Sequence, residues 1–303
     1  MSRRYRFITA DVFTERMFGG NQLAVFTDAA GLDTQTMQAI AREMNLSETV
    51  YVFPPETARG TRRLRIFTPG TELPFAGHPT VGAAFVLSAI GEIASDGELA
   101  RIVFEEGVGP VKVVVRSEAG RPVFAQLSAA KLPEFGPPAP PGELIASVLS
   151  LTADEVESGA HAPRACSCGV PFLFVTVRNL AALARARVDI QLWERHVADY
   201  WAPEFYVIAK PTSAADIRAR MFAPSMGIGE DPATGSAAAA LAGYLAPQQA
   251  ADGVLRWTIQ QGVEMGRPST IFLEADIRSG AITAVRVGGA SVLVTEGQLT
   301  LSD

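Results

Sequence analysis

Thiols and imidazoles are scarce in this chain of 303 residues, which carries two cysteines, Cys166 and Cys168, and three histidines, at 78, 161 and 196. The C-x-C pair is too close for an easy disulfide and lacks the C-x-x-C spacing of redox motifs and zinc knuckles, so it reads as two small apolar thiols. No His/Cys cluster has ligand spacing, so no metal is expected. Long apolar runs are missing too. The most apolar helical stretch, Ala237–Leu245, falls far short of the ~20 residues that span a bilayer. Met1 to Val12 holds three arginines and reaches Asp11 before a secretory apolar segment can form. The expectation is a cytoplasmic protein without a membrane partner. Basic charge is in deficit, with a net charge of -6 and a pI near 5.3, which argues against nucleic acid as a partner. The nucleotide and hydrolase signatures are also absent. Gly229 to Gly235 is not a P-loop, because no lysine follows the second glycine, and no G-x-G-x-x-G or G-x-S-x-G stands in the required setting. Proton transfer is the chemistry the remaining groups support best.

The chain does have the composition of a packed protein, 48% hydrophobic and 19% charged, at a length that suits two domains. Runs rich in Val, Ile, Phe and Thr predict strands at Arg6–Val12, Thr49–Phe53, Arg63–Thr68, Arg101–Glu105, Val111–Arg116 and Val123–Leu127. Asp33 caps a predicted helix whose stripe is Met37, Ile40, Ala41 and Met44. A second helix starts near Pro79 and runs through Val81–Ile90. Lys131 to Gly142 holds five prolines and reads as a semi-rigid linker between domains 1–130 and 143–288. Beyond it the pattern predicts helices at Glu143–Leu151 and Thr234–Leu245. Strands are expected at Phe172–Val177, Phe205–Ala209, Ile217–Phe222, Leu255–Gln260, Thr270–Glu274, Ile282–Arg286 and Ser291–Glu296.

The halves repeat one pattern. Arg65-Ile66-Phe67-Thr68-Pro69 leads through a turn into Gly77-His78-Pro79-Thr80-Val81-Gly82, and Arg220-Met221-Phe222-Ala223-Pro224 leads into Glu230-Asp231-Pro232-Ala233-Thr234-Gly235-Ser236. A strand carrying R-x-F-x-P thus feeds a helix of small residues twice, which points to a duplicated domain. A helix N-terminus offers free N–H groups and partial positive charge, so the two starts are candidate carboxylate sites; capped helices with turn glycines are the alternative. Glu48, between the Asp33 helix and an apolar strand, is a candidate acid–base, or else a solvated surface carboxylate. His78 is a candidate donor or proton relay, or a locally bonded turn histidine. Asp231 is its counterpart, or an N-cap for the Thr234 helix.

Together the segments Phe18-Gly19-Gly20-Asn21-Gln22-Leu23-Ala24-Val25, Asn45-Leu46-Ser47-Glu48-Thr49, Phe75-Ala76-Gly77-His78-Pro79-Thr80, Gly229-Glu230-Asp231-Pro232-Ala233-Thr234-Gly235-Ser236-Ala237 and Gln261-Gly262 with Gly266-Arg267-Pro268-Ser269 resemble the PhzF family of phenazine biosynthesis, in order along nearly the whole chain. The resemblance implies an α+β, diaminopimelate-epimerase-like fold of two similar domains. Each is a mostly antiparallel curled sheet around a central helix, the active site lies between them, and the last strand (about 289–303) returns to the first domain. It also implies a cofactor-independent isomerase and a homodimer. Glu48 would move a proton within a small carboxylic acid of the dihydro-hydroxyanthranilate type, His78 and Asp231 would assist, and Asn21, Gly77, Gly235 and Ser236 would bind the substrate. The paired thiols of related racemases are not in these motifs, which disfavours two-thiol racemisation. A non-catalytic anion-binding protein on the same fold is the alternative. Met17, Phe18, Tyr51 and Phe222 are candidates for setting specificity.

Overall fold

A computed structural model describes residues 2–210, 215–248 and 252–301. The chain divides into two units, residues 1–130 with 288–303, and residues 131–287. In unit 1 the strands β1 (Arg3–Val12), β2 (Asn21–Phe26), β3 (Glu48–Phe53), β4 (Arg62–Phe67), β5 (Glu72–Leu73), β6 (Leu99–Glu106), β7 (Gly109–Glu118) and β8 (Arg121–Ser128) are joined by helices α1 (Thr34–Met44) and α2 (Gly77–Ala89). Neighbours pair antiparallel except at two crossovers. The α1 connection makes β2 parallel to β3, and the α2 connection makes β4 parallel to β6. The final strand, Ser291–Leu301, pairs antiparallel with β1.

Unit 2 follows the same plan. It contains β9 (Glu134–Phe135), α3 (Gly142–Val148), β10 (Arg164–Ser167), β11 (Pro171–Thr176), α4 (Leu180–Arg185), α5 (Ile190–His196), β12 (Phe205–Ala209), β13 (Ile217–Ala223), β14 (Ile228–Asp231), α6 (Gly235–Leu245), β15 (Gly253–Gln261), β16 (Ser269–Arg278) and β17 (Ala281–Gly289). The parallel pairs here are β11 with β12 and β13 with β15, the second again spanning the unit's central helix. The chain's final strand is β18 (Ser291–Leu301). No helix among the described residues is long and apolar enough to cross a membrane.

The repeated R-x-F motif has one physical role in both units. Arg65 holds Glu72 bidentately, with its Nε 2.7 Å from Oε1, and Arg220 holds Glu230 the same way at 2.8 Å. Each guanidinium also lies over the aromatic ring two residues on, 5.2 Å from Phe67 and 4.9 Å from Phe222. The motif therefore ties the second strand of a hairpin to the turn that precedes the central helix.

The helices at the centre differ from the surface helix in pattern. Asp33 caps α1 by accepting the Thr36 N–H at 2.7 Å, and Met37, Ile40 and Ala41 face the core. Helix α2 is buried from Gly77 through Leu87 and has no polar face, and α6 is buried throughout except for Ser236. α2 packs on β1, β2, β3, β6, β7 and β8, and α6 on β9, β10, β11 and β16. Gly82 sits where α2 crosses the sheet most closely: a Cβ there would lie 2.5 Å from Leu23 Cδ2 and 2.6 Å from Val12 Cγ2.

Several elements differ from their sequence expectations. Helix α2 starts at Gly77, so Pro79 is its third residue. The proline-rich stretch is not wholly a connector, because Glu134–Phe135 pairs with Cys166 and Ser167. Tyr51 and Phe222 are core residues rather than specificity residues. Tyr51 stacks on Phe26, meets Phe67 edge to face and donates its hydroxyl to Met37 O, while Phe222 joins the cluster around Leu173 and Trp193. Met17 and Phe18 are exposed.

The packing at Gly82 sets a test. Alanine there gains about 1 kcal/mol of helix propensity, but the two side-chain clashes cost about 1–3 kcal/mol. Gly82→Ala is expected to lower the denaturant midpoint at unchanged slope; a raised midpoint would show that Leu23 and Val12 yield freely.

Candidate functional site

Unit 1 brings together Asn21, Glu48, Gly77 and His78. Asn21 opens β2, Glu48 opens the parallel neighbour β3, and both side chains are buried. Alternation along β3 puts Tyr51 on the α1 face, so Glu48 lies on the α2 face, where the first turn of α2 delivers His78. The His78 Nε2 is 3.1 Å from Glu48 Oε2, and Asn21 Nδ2 is 3.2 Å from His78 Nδ1. With the Asn21 amide oriented so that Nδ2 donates to Nδ1, the imidazole carries its proton on Nε2, facing Glu48 at contact distance but out of line for a hydrogen bond to Oε2.

Two effects compete over the charge of His78. An ionised carboxylate at 3.1 Å favours an imidazolium, whereas removal from water favours the neutral ring. Burial wins and pushes the pKa of His78 down to about 3, with a hydrogen bond to the Gln22 backbone acting weakly in the other direction. Glu48 thus faces a neutral imidazole rather than a cation.

The loop before β2 closes this corner. Phe18 holds a left-handed backbone conformation at φ 67°, uncommon for a bulky residue, and its N–H donates to the buried Asp11 carboxylate at 2.6 Å. Asp11 was not singled out from sequence; an acid within an apolar strand is the signal that would have found it.

Unit 2 brings together Asp231, Gly235 and Ser236 around Thr234 and Gln261. Asp231 is not an N-cap: Thr234 is the N-cap of α6, and its hydroxyl donates to the Asp231 carboxylate. Gln261, fully buried, uses its whole amide. Nε2 donates to Asp231 O at 2.8 Å and to Thr234 Oγ1 at 2.9 Å, while Oε1 accepts from Thr234 N at 3.2 Å and the Tyr206 hydroxyl at 3.0 Å. Burial, with the Asp231 charge beside it, raises the Tyr206 pKa and keeps the hydroxyl a donor. Gly262 follows at φ 74°, and a Cβ there would stand 2.5 Å from Arg267 O and 2.6 Å from Pro232 O. From sequence Gln261 counted only as part of a motif; nothing in its composition announces a polar hub.

Both central helices begin without a side-chain cap. Ala76 has only a methyl group to offer, and the Thr234 hydroxyl is committed to Asp231. Gly77 and Gly235 are the first residues of these helices, so the positive helix ends lie beside His78 in unit 1 and beside Asp231 and Ser236 in unit 2. Among the described residues no cluster of three or more His, Cys, Asp or Glu side chains has the arrangement to hold a metal ion. Cys166 and Cys168 are buried, and burial lifts the Cys166 thiol to about 11, so neither is a nucleophile poised at neutral pH.

This duplicated α+β fold, with a carboxylate and an imidazole together at one central helix start, is shared with known isomerases. The family model described as "Phenazine biosynthesis-like protein" matches residues 10–297, and the chain belongs to that family. It is 42% identical over 299 residues to an uncharacterised isomerase of Mesorhizobium japonicum, covering 97% of this chain and 98% of that one. It is 35% identical to the trans-2,3-dihydro-3-hydroxyanthranilate isomerase of Pseudomonas aeruginosa, covering 98% of this chain and all of the relative. The fold matches a crystal structure of the Bacillus anthracis phenazine biosynthesis protein of the PhzF family with a TM-score of 0.88, at 23% identity over 98% of this chain and 99% of that one. The chain is an isomerase with a diaminopimelate-epimerase-like fold.

The charge state of His78 is directly measurable. Its imidazole resonances are expected to stay fixed from pH 8 down to pH 5. Because the folded pKa lies below the unfolded value, His78 costs stability progressively as pH falls from about 6.5 towards 3. A midpoint at or above 6.5 by NMR would instead mean that Glu48 holds His78 as a cation.

Proposed function

We propose that this isomerase moves a proton within a small unsaturated carboxylic acid, without a cofactor, by acid–base catalysis at Glu48. The observation that carries the reading is the buried Glu48–His78 contact of 3.1 Å at an uncapped helix start. A carboxylate in that setting takes a proton from a carbon whose electrons can pass into a neighbouring double bond, and it returns the proton to the carbon where the electrons reappear. One C–H bond breaks, one forms, and the double bond shifts. No redox partner is needed. A carboxylate base suits such an activated C–H bond better than an ordinary amino-acid α-proton.

His78 lies against Glu48 and reaches the reacting substrate, and Asp231 assists proton movement. Asn21 fixes the His78 tautomer, and the N–H groups at Gly77, Gly235 and Ser236 bind the substrate carboxylate. The reaction named for the Pseudomonas aeruginosa relative supports a dihydro-hydroxyanthranilate-type substrate. The motifs shared with that family support a cytoplasmic homodimer.

Proton NMR in deuterated buffer with a panel of small unsaturated and hydroxylated acids, including trans-2,3-dihydro-3-hydroxyanthranilate, tests this reading. One acid is expected to exchange at carbon or isomerise, and Glu48→Gln to lower the rate by at least about 10³-fold with binding preserved. Measurable binding without exchange by the unmodified protein would favour an anion-binding protein instead.

A further inference from the structure

One buried carboxyl of unit 1 is unused by that mechanism. Glu106 ends β6 and is 8% exposed. Its Oε1 lies 2.8 Å from Thr80 Oγ1, and the same hydroxyl oxygen lies 2.7 Å from Ala76 O. Oε2 is buried without a hydrogen-bond partner. Ala76 is the N-cap of α2, and Thr80 stands two residues beyond His78 in the same first turn.

Counting protons assigns the state of this contact. Thr80 has one hydroxyl proton and two close oxygen neighbours, and Ala76 O, a carbonyl, has no proton to give. The threonine therefore donates to Ala76, and the Glu106 carboxyl supplies the second proton by donating to Thr80. Two acceptors facing one donor would leave a buried lone pair against a lone pair, at the cost of an unmade hydrogen bond.

The duplication gives an independent comparison. Arg65 matches Arg220 in the repeated motif, so Arg63 matches Arg218. In the parallel crossovers Arg63 pairs with Glu105, and Arg218 pairs with Gln260. The next residues, Glu106 and Gln261, occupy the same place in the two units. Gln261 is a neutral amide that donates to the Thr234 hydroxyl at the start of α6. Glu106 meets the Thr80 hydroxyl at the start of α2. A protonated Glu106 is the isostere of its twin; an ionised one is not.

We propose that Glu106 is a positioning residue that keeps its proton through neutral pH and, by way of Thr80 and Ala76, fixes the first turn of α2 so that His78 meets Glu48; loss of the proton releases that turn. The proposal deepens the proton-transfer reading and rests on it. Its surroundings agree. From α2 the titratable group in this turn is His78, which burial keeps neutral. β4 presents Arg63, paired with Glu56, and Arg65, paired with Glu72 of β5. Glu105, beside Glu106 on β6, accepts from the Glu56 and Thr57 backbone N–H groups, and Lys112 of β7 is exposed. These groups leave burial as the dominant influence, and it raises the Glu106 pKa to about 8; a hydroxyl proton donated by Thr80 would oppose this, and that proton goes to Ala76 O instead.

Glu106→Gln, measured against the unmodified protein, tests this. The unfolded carboxyl ionises near 4.5, so the folded protein holds an extra proton between pH 4.5 and 8 and loses stability relative to the glutamine variant across that window. The difference in Tm in favour of Glu106→Gln is expected to widen by roughly 5 °C or more from pH 5 to 8.5 and then level off. Amide exchange over residues 78–82 is expected to accelerate above pH 8 in the unmodified protein relative to the variant. For any acid of the panel that turns over, the variant-to-parent ratio of kcat/KM is expected to rise at least tenfold between pH 7 and 9.5. A Tm difference independent of pH, with a basic limb common to both proteins, would overturn the proposal. Should Glu106→Gln not accumulate, Thr80→Val cuts the same relay and is expected to abolish the limb, while Thr80→Ser keeps it; an unmoved limb in Thr80→Val would count against the relay. The melting and exchange measurements need no substrate, so they decide Glu106 even if the proton-transfer reading fails.

Discussion

A helix buried on every side carries its polar N-terminus into the protein interior, and its first N–H groups must find partners there. Helices α2 and α6 both face this constraint, and neither has a side-chain cap. In unit 1 the surrounding polar groups are Asn21, Glu48, His78, Thr80 and Glu106; in unit 2 they are Asp231, Thr234, Gln261 and Ser269. The apolar walls that demand burial of the helix also strip these groups of water. That removal shifts His78 towards the neutral ring and Glu106 towards the neutral acid. The site's chemistry follows from the packing.

The duplication carries the same backbone solution with different side chains. Glu106 and Gln261 share a register position but differ in that one can ionise. A second pair, Glu48 and Glu204, shares the place before the residue that faces Phe67 or Phe222 across the hairpin. Both are buried. Glu48 meets an imidazole, whereas Glu204 accepts from the Ser225 hydroxyl in the turn after β13, and burial lifts its pKa to about 7. One unit thus holds the carboxylate–imidazole pair, and the other a carboxyl bound to a serine.

What was legible in the sequence follows local physics. Helix α1 was readable because the Asp33 cap and the apolar stripe are local signals. The two helix starts were readable because small residues and glycines recur in order, although Pro79 drew the predicted start of α2 two residues too late. Strand β2 and the short helices α4 and α5 were not read from the sequence. Glu48 and His78 were separate candidates thirty residues apart, and only the parallel pairing of β2 with β3 beneath α2 joins them. Gln261 and Glu106 were not read as functional residues: Glu106 lies just past the strand expected at Arg101–Glu105, and burial is a property of the fold.

The central claim is that one shielded carboxyl, Glu48, both removes and returns the proton. Label transfer tests it most directly. The acid that the enzyme turns over, deuterated at the carbon that loses its hydrogen, is converted in ordinary water and the product is analysed at the carbon that gains one. Burial of Glu48 predicts that part of the deuterium reappears at the new position from the first turnover. Product carrying solvent hydrogen alone would contradict a single shielded shuttle and require a second, solvent-connected acid.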